Sequence, residues 1–300
     1  MISLGCPKNL VDSEVMLGLA RNDGHQLTRD AADADVLVVN TCAFIDKAKQ
    51  ESIDTILEMA EHKKNGRCSK LIVTGCLAER YRDELRAQIP EIDEVLGTGE
   101  VPQIVDAIGA RDLGLANRDS GLGARGSGSP LFPLLRANGE PIANLARGRT
   151  RPDPGPVERL VPSPESGVPS PERQTRPTYL YDADTPRLLA TPRHYSYLKI
   201  AEGCDYKCAF CIIPTLRGGY RSRDHQSILA EARALAEGGT RELLLISQDT
   251  SFYGVDRGER GALGRLLRDF NRVDGIEWIR MLYLYPTTIT DDLLEAISDS

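Results

Sequence analysis

The stretch Tyr195-Ser196-Tyr197-Leu198-Lys199-Ile200-Ala201-Glu202-Gly203-Cys204-Asp205-Tyr206-Lys207-Cys208-Ala209-Phe210-Cys211 decides how the second half of the chain is read. Residues 195–200 are apolar and aromatic enough to form a strand. Glu202 and Gly203 then lead directly into three cysteines spaced C-x-x-x-C-x-x-C. Thiolates are the usual ligands of iron–sulfur clusters, and three of them with no fourth nearby leave one iron of a 4Fe-4S cubane open. Structural zinc is the rival reading. It wants four ligands, commonly as paired C-x-x-C or Cys/His sets, and the nearest histidines, His194 and His225, lie outside any usual spacing.

Working outward, strands are expected over 242–246 and 278–284, and helices over 227–237, 262–272 and 291–297. These make three βα units, the start of a (β/α) barrel with the cysteine loop at the carboxyl end of its first strand, where such folds build their sites. An open cluster iron there can take the amino and carboxylate groups of S-adenosylmethionine and pass one electron to its sulfonium. This pattern is that of radical S-adenosylmethionine enzymes. Gln248 and Asp249 end the next strand and are expected to contact cosubstrate or substrate, with strand-end capping as the alternative. Phe210, beside the last cysteine, either shields the cluster and packs on adenine or joins the core. Tyr283 and Tyr285 line the pocket or pack. Arg217, Arg221 and Arg223 meet an acidic substrate or the cosubstrate carboxylate, or else form a solvated face. The chain ends at Ser300 with no closing element. It therefore reads as a fragment, cut at the C-terminus and by a few residues at the N-terminus, and is expected to be inactive by itself.

Residues 1–110 alternate short apolar strands (1–4, 35–40, 70–74, 94–96) with helical stretches (12–21, 46–63, 79–88, 101–108). That alternation implies a doubly wound parallel sheet with helices on both faces. Cys6, Cys42 and Cys76 each follow a strand. All carboxyl ends of a parallel sheet share one edge, so these three thiols can converge on a second 4Fe-4S cluster. Gly5 and Gly75 precede two of them and permit close backbone approach. Cys68 precedes its strand, which puts it about 20 Å away at the opposite edge, and it is excluded as a ligand. Three buried structural cysteines is the plainer alternative.

Between the halves, residues 111–190 are rich in Gly, Pro and Arg, including Gly121-Leu122-Gly123-Ala124-Arg125-Gly126-Ser127-Gly128-Ser129-Pro130. They read as a linker or disordered insert, with an arginine-rich contact to RNA as the sharper option. The 300 residues carry a formal net charge of -7, with 41% hydrophobic and 27% charged side chains. That is globular composition of about two domains. The acidic balance argues against sequence-independent binding to a DNA backbone. No apolar run approaches the roughly 20 residues of a membrane span, and no signal peptide is visible. The expectation is a cytoplasmic protein, whose seven cysteines are ligands or free thiols rather than disulfides.

With both cysteine sets in place, the sequence resembles the methylthiotransferase family over 1–110 and 192–300. Within it, Ser3-Leu4-Gly5-Cys6-Pro7-Lys8-Asn9-Leu10-Val11-Asp12-Ser13-Glu14, Asn40-Thr41-Cys42-Ala43-Phe44-Ile45, Ile212-Ile213-Pro214-Thr215-Leu216-Arg217-Gly218 and Leu245-Ile246-Ser247-Gln248-Asp249-Thr250 look like the branch acting on ribosomal protein S-twelve. The tRNA-modifying branch tends to open with Gly-Cys-Gln-Met-Asn. The resemblance implies an auxiliary cluster on Cys6, Cys42 and Cys76 and a radical cluster on Cys204, Cys208 and Cys211. It implies methylthiolation at the β-carbon of one S-twelve aspartate, with S-adenosylmethionine giving both the methyl group and the radical. A reductant such as flavodoxin or ferredoxin is implied as a partner, and a small C-terminal TRAM-type domain that these 300 residues lack. The long insert departs from the family pattern and puts the domain-to-domain geometry in doubt. Methylthiolation of tRNA adenosine and a non-catalytic electron-transfer module are the competing readings; an electron carrier usually fills all four ligand positions of each cluster.

Overall fold

The computed structural model describes residues 1–109 and 177–299. Most of the Gly-, Pro- and Arg-rich stretch lies outside the described residues. The first unit is a four-stranded parallel sheet in the order β1-β2-β3-β4: β1 (Ile2–Ser3), β2 (Val36–Thr41), β3 (Lys70–Gly75) and β4 (Glu94–Leu96). The two-residue period of the strands divides the core. Leu37, Val39, Leu71, Val73 and Val95 face one way, against helices α2 (Asp46–Asn65), α3 (Cys76–Arg80) and α4 (Arg82–Gln88). Val38, Ile72 and Leu96 face the other, against α1 (Pro7–Asn22) and α5 (Ile104–Ile108). Helices therefore cover both faces, as the apolar strand runs imply. Each fully buried Leu or Ile contributes about 1.5–3 kcal/mol.

Two elements differ from the sequence reading. Helix α1 begins at Pro7 rather than near residue 12, because proline at the first helical position is already set to helical φ. The single helix expected over 79–88 is two short helices broken at Tyr81, whose φ of -131° is not helical.

The second unit starts with β5 (Tyr195–Lys199) and a two-residue antiparallel ribbon, β6 (Ala201–Glu202) with β7 (Arg221–Ser222). The ribbon closes the base of the loop that carries the three contiguous cysteines and helix α6 (Ile213–Arg217). Helix α7 (His225–Glu237), β8 (Glu242–Ile246), α8 (Ala262–Phe270), β9 (Trp278–Met281) and α9 (Asp291–Ser298) follow. Strands β5, β8 and β9 form a parallel sheet in that order, and α7, α8 and α9 pack on it around Leu198, Leu243, Leu245, Leu266 and Phe270. This is the expected part-barrel of three βα units.

Helix α1 joins the units. Val11, Val15 and Met16 pack against Val38 and Ile72 of the first sheet and against Ile246, Tyr197 and Leu282 of the second. Residues 177–190, read from sequence as the tail of a linker, are instead a packed strap. Tyr181 and Leu188 are buried, and Leu188 donates its amide to the Glu14 carbonyl at 2.9 Å. Their proline content disfavours helix and strand but does not prevent extended chain from packing. Among the described residues, no helix is long and apolar enough to cross a membrane.

Candidate metal centres

Strand register brings the scattered cysteines together. Ser3 pairs with Asn40 and Asn40 with Thr74, so the loops bearing Cys6, Cys42 and Cys76 leave the sheet side by side at one edge. Gly5 and Gly75 both adopt positive φ, +88° and +93°. A Cβ on Gly5 would lie 2.7 Å from Cys42 Cβ, and one on Gly75 would lie 2.2 Å from Asn40 Oδ1. The close approach these glycines permit is thus between loops of the protein itself. Cys68 sits at the start of β3, its thiol donating to the Lys70 carbonyl at 3.2 Å, away from the other three.

Asn9 ties the three loops to one another. Its Nδ2 donates to the Leu4 carbonyl (3.0 Å) and the Thr41 carbonyl (2.7 Å), and the Cys76 thiol approaches its Oδ1 at 3.8 Å. That same Oδ1 accepts from Nη2 of Arg217. Arg217 belongs to the second unit, where it ends α6 on the contiguous-cysteine loop, yet it is 2% exposed and reaches the first. Its Nη1 donates to Asp12 Oδ2 (3.0 Å) on α1 and to Glu202 Oε2 (2.9 Å). Lys199 completes this set, paired with Asp12 and with Glu202 at 2.7 Å. Burial opposes ionisation of Glu202, but the Arg217 and Lys199 cations hold its carboxyl far below the usual range.

The contiguous cysteines are less enclosed. Cys204 is buried, Cys211 half-buried and Cys208 exposed. The loop is anchored where Cys204 donates its amide to the Gly218 carbonyl (3.1 Å) and Tyr206 donates its hydroxyl to Asp249 Oδ2 (2.8 Å). Asp249 is the capping residue of the turn that follows: its Oδ1 accepts from the Ser251 amide (3.0 Å) and hydroxyl (2.6 Å). Gln248 donates its amide to Glu202 Oε1, while its own Oε1 is buried with no hydrogen-bond partner. Phe210 is 87% exposed, so it is not a core residue.

The three arginines do not form a solvated face. Arg217 and Arg223 are buried, Arg223 paired with Glu231 at 2.6 Å, and Arg221 is half-buried against backbone carbonyls. Their acidic partners come from within the chain. A second buried set, Glu14, Arg187, Glu231 and Arg223, pins the strap between α1 and α7. Asn9, Asp12, Glu14 and Glu202 were not anticipated as site residues. The available signal was the run of polar side chains on α1 between apolar ones.

The donor chemistry fits iron–sulfur cubanes. Each set offers three thiols, the usual donors to such a cluster; among the described residues, no group of three His, Cys, Asp or Glu side chains is placed to hold a single metal ion. Burial raises the Cys42 and Cys204 thiols and pushes Cys76 up to about 12, with Arg217 pulling Cys76 the other way. Buried thiols of this kind ionise when a metal takes the place of the proton.

Residues 1–97 match the uncharacterized protein family UPF0004, and residues 198–300 match the Radical SAM superfamily. The chain is 48% identical to the ribosomal protein uS12 methylthiotransferase RimO of Koribacter versatilis, covering 100% of this chain and 57% of that one. It is 46% identical to the RimO of Symbiobacterium thermophilum, covering 99% and 50%. The chain spans about half the length of the curated relatives it matches. Among solved structures it resembles the radical S-adenosylmethionine methyltransferase TsrM of Kitasatospora setae, with a TM-score of 0.53 at 15% identity, covering 98% of this chain and 55% of that one. That likeness is one of fold. With a UPF0004 segment and a Radical SAM segment in this order, the chain is similar along its whole length to about half of each of these RimO methylthiotransferases.

Proposed function

We propose that this chain provides the two cluster-binding units of a cytosolic enzyme that adds a methylthio group at the β-carbon of an aspartate of ribosomal protein S-twelve. S-adenosylmethionine is the cosubstrate, and a flavodoxin or ferredoxin is the reductant. The observation that carries the reading is the unbroken run of buried contacts from Cys76 through Asn9, Arg217 and Glu202 to the residues just before Cys204. Two cysteine sites tied together in this way suit a reaction that needs both at one substrate.

In this reading Cys204, Cys208 and Cys211 hold one 4Fe-4S cluster, and Cys6, Cys42 and Cys76 hold the auxiliary one. When bound, the first supplies an electron to the sulfonium of S-adenosylmethionine and the second a place for the sulfur to be transferred. Glu202 orients Gln248 through its Nε2, leaving the unpartnered Oε1 to accept a hydrogen bond from the amino group of the cosubstrate. Asp249 acts through Tyr206, holding the cysteine loop in position. Phe210, exposed beside Cys211, is placed to cover the adenine once cosubstrate is present. Residues 1–110 serve as the auxiliary-cluster unit and 191–300 as the radical unit, with 177–190 fastening one to the other.

The test is anaerobic reconstitution of the full-length protein, followed by iron and sulfide analysis and incubation with S-twelve and with unmodified tRNA. About eight irons per chain are expected, four for each cluster, together with a methylthio mass gain on S-twelve. Mass gain on tRNA alone overturns the substrate assignment, and about four irons overturns the second cluster.

A further inference from the structure

Lys8 differs from the other buried cations. Five cationic side chains among the described residues are buried: Lys8, Arg187, Lys199, Arg217 and Arg223. The last four are ion-paired to Asp12, Glu14, Glu202 or Glu231. Among the described residues Lys8 has no carboxylate within ion-pairing distance; its ammonium stands 3.3 Å over the centre of the Tyr283 ring. Lys8 stands on α1 two residues after Cys6, and its aromatic partner belongs to the second unit. Glu202 is already committed to Arg217 and Lys199.

Tyr283 is itself unusual. It is the one non-glycine residue with positive φ among those described, at 61°, in the loop just after β9. The Thr250 amide holds its carbonyl at 2.9 Å. Left-handed backbone at a bulky residue is strained and persists where the surroundings impose it, commonly at functional sites. Here the strain delivers an aromatic face from the second unit beneath an ammonium of the first. A cation–π contact compensates only in part for a largely desolvated ammonium without a carboxylate partner. The pair therefore presents a cation that still lacks an anion, two residues beyond Cys6.

We infer that Lys8 receives the side-chain carboxylate of the substrate aspartate, held in place by the Tyr283 ring, and so selects an acidic side chain over a neutral one. This rests on the reading under Proposed function. The carboxylate of an aspartate is bonded directly to the β-carbon that gains the sulfur. A cation beside Cys6 consequently brings that carbon to the auxiliary thiols. A neutral substrate edge gains nothing from an ammonium at this place.

The test is fluorescence anisotropy of a labelled S-twelve peptide containing the aspartate, and of the same peptide with asparagine, binding to reconstituted full-length enzyme. Wild type is expected to bind the aspartate peptide about tenfold more tightly, equivalent to about 1.4 kcal/mol. Lys8→Met should bind both equally, and Lys8→Arg should recover most of the preference. The ratio of the two affinities is unaffected by a general loss of folded protein. Equal affinities in wild type overturn the inference without any variant, and so does an undiminished ratio in Lys8→Met. A fall in S-adenosylmethionine affinity with the peptide ratio intact also overturns it, by assigning Lys8 to the cosubstrate carboxylate. If S-twelve is modified without dependence on Lys8, only this inference falls. If tRNA is modified and S-twelve is not, the proposed function falls and takes the inference with it.

Discussion

Cys204, Cys208 and Cys211 lie on one loop whose base is closed by the β6–β7 ribbon, and the chain between them sets their spacing. Cys6, Cys42 and Cys76 come from three strand ends and have no spacing at all until the sheet forms. The first set is partly open to solvent; the second is enclosed by Asn9, two left-handed glycines and an arginine from the other unit. A contiguous ligand set asks the fold only for an anchored loop. A dispersed set makes the fold itself the chelator, so residues that never touch metal become as necessary as those that do.

The most severe test of this contrast is Arg217→Met. It leaves Asp12 and Glu202 buried with Lys199 alone, which should cost about 3–5 kcal/mol in denaturant unfolding. The auxiliary iron should go with it; a loss under about 1 kcal/mol would mean that the brace between the units is idle. Asn9→Leu should cost about 1–3 kcal/mol, by stranding the Leu4 and Thr41 carbonyls, and should selectively lower iron at the dispersed site. Cys42→Ala and Cys68→Ala remove equally buried thiols, yet only the first should lose about four irons on reconstitution. Equal losses would dissolve the distinction between the two sheet edges. Cys208→Ala should change apo stability by no more than about 0.5 kcal/mol because the residue is exposed, while still emptying the contiguous site of iron. Finally, alkylation of apo protein at pH about 8 should modify Cys208 first and Cys76 last, since burial pushes the Cys76 thiol up to about 12. Early labelling of Cys76 in peptide maps would show the dispersed site to be open.

The strands, and the placing of Cys6, Cys42 and Cys76 at one sheet edge, were legible because they rest on local signals: apolar runs of strand length, and cysteines placed just after them. The placing of Cys68 at the other end of β3 followed from the same rule, and its thiol donates to the Lys70 carbonyl there. The brace was not legible. Asn9 and Arg217 are separated by two hundred residues of sequence, and neither residue type announces a partner. Arg217 and Arg223 looked like loop cations, because the carboxylates that pair with them lie on α1, β6 and α7 and meet them only through tertiary packing. Asp249 looked like a ligand contact because it ends a strand, yet its carboxylate is occupied by Tyr206 and Ser251. The two-residue ribbon β6–β7 is too short for any periodicity to register.

Helix α1 carries a consequence for how the molecule comes apart. It belongs to the first unit by sequence, but its Asp12 and Glu14 find their counter-charges on β5, α6 and the strap. Cut between the halves, each piece would expose a surface of unneutralised groups that water must solvate, and the amino-terminal piece would lose half the packing of its first helix. The two pieces should therefore behave as complementing fragments: poorly ordered when expressed singly, regaining structure when mixed, and melting in the joined protein as one cooperative transition.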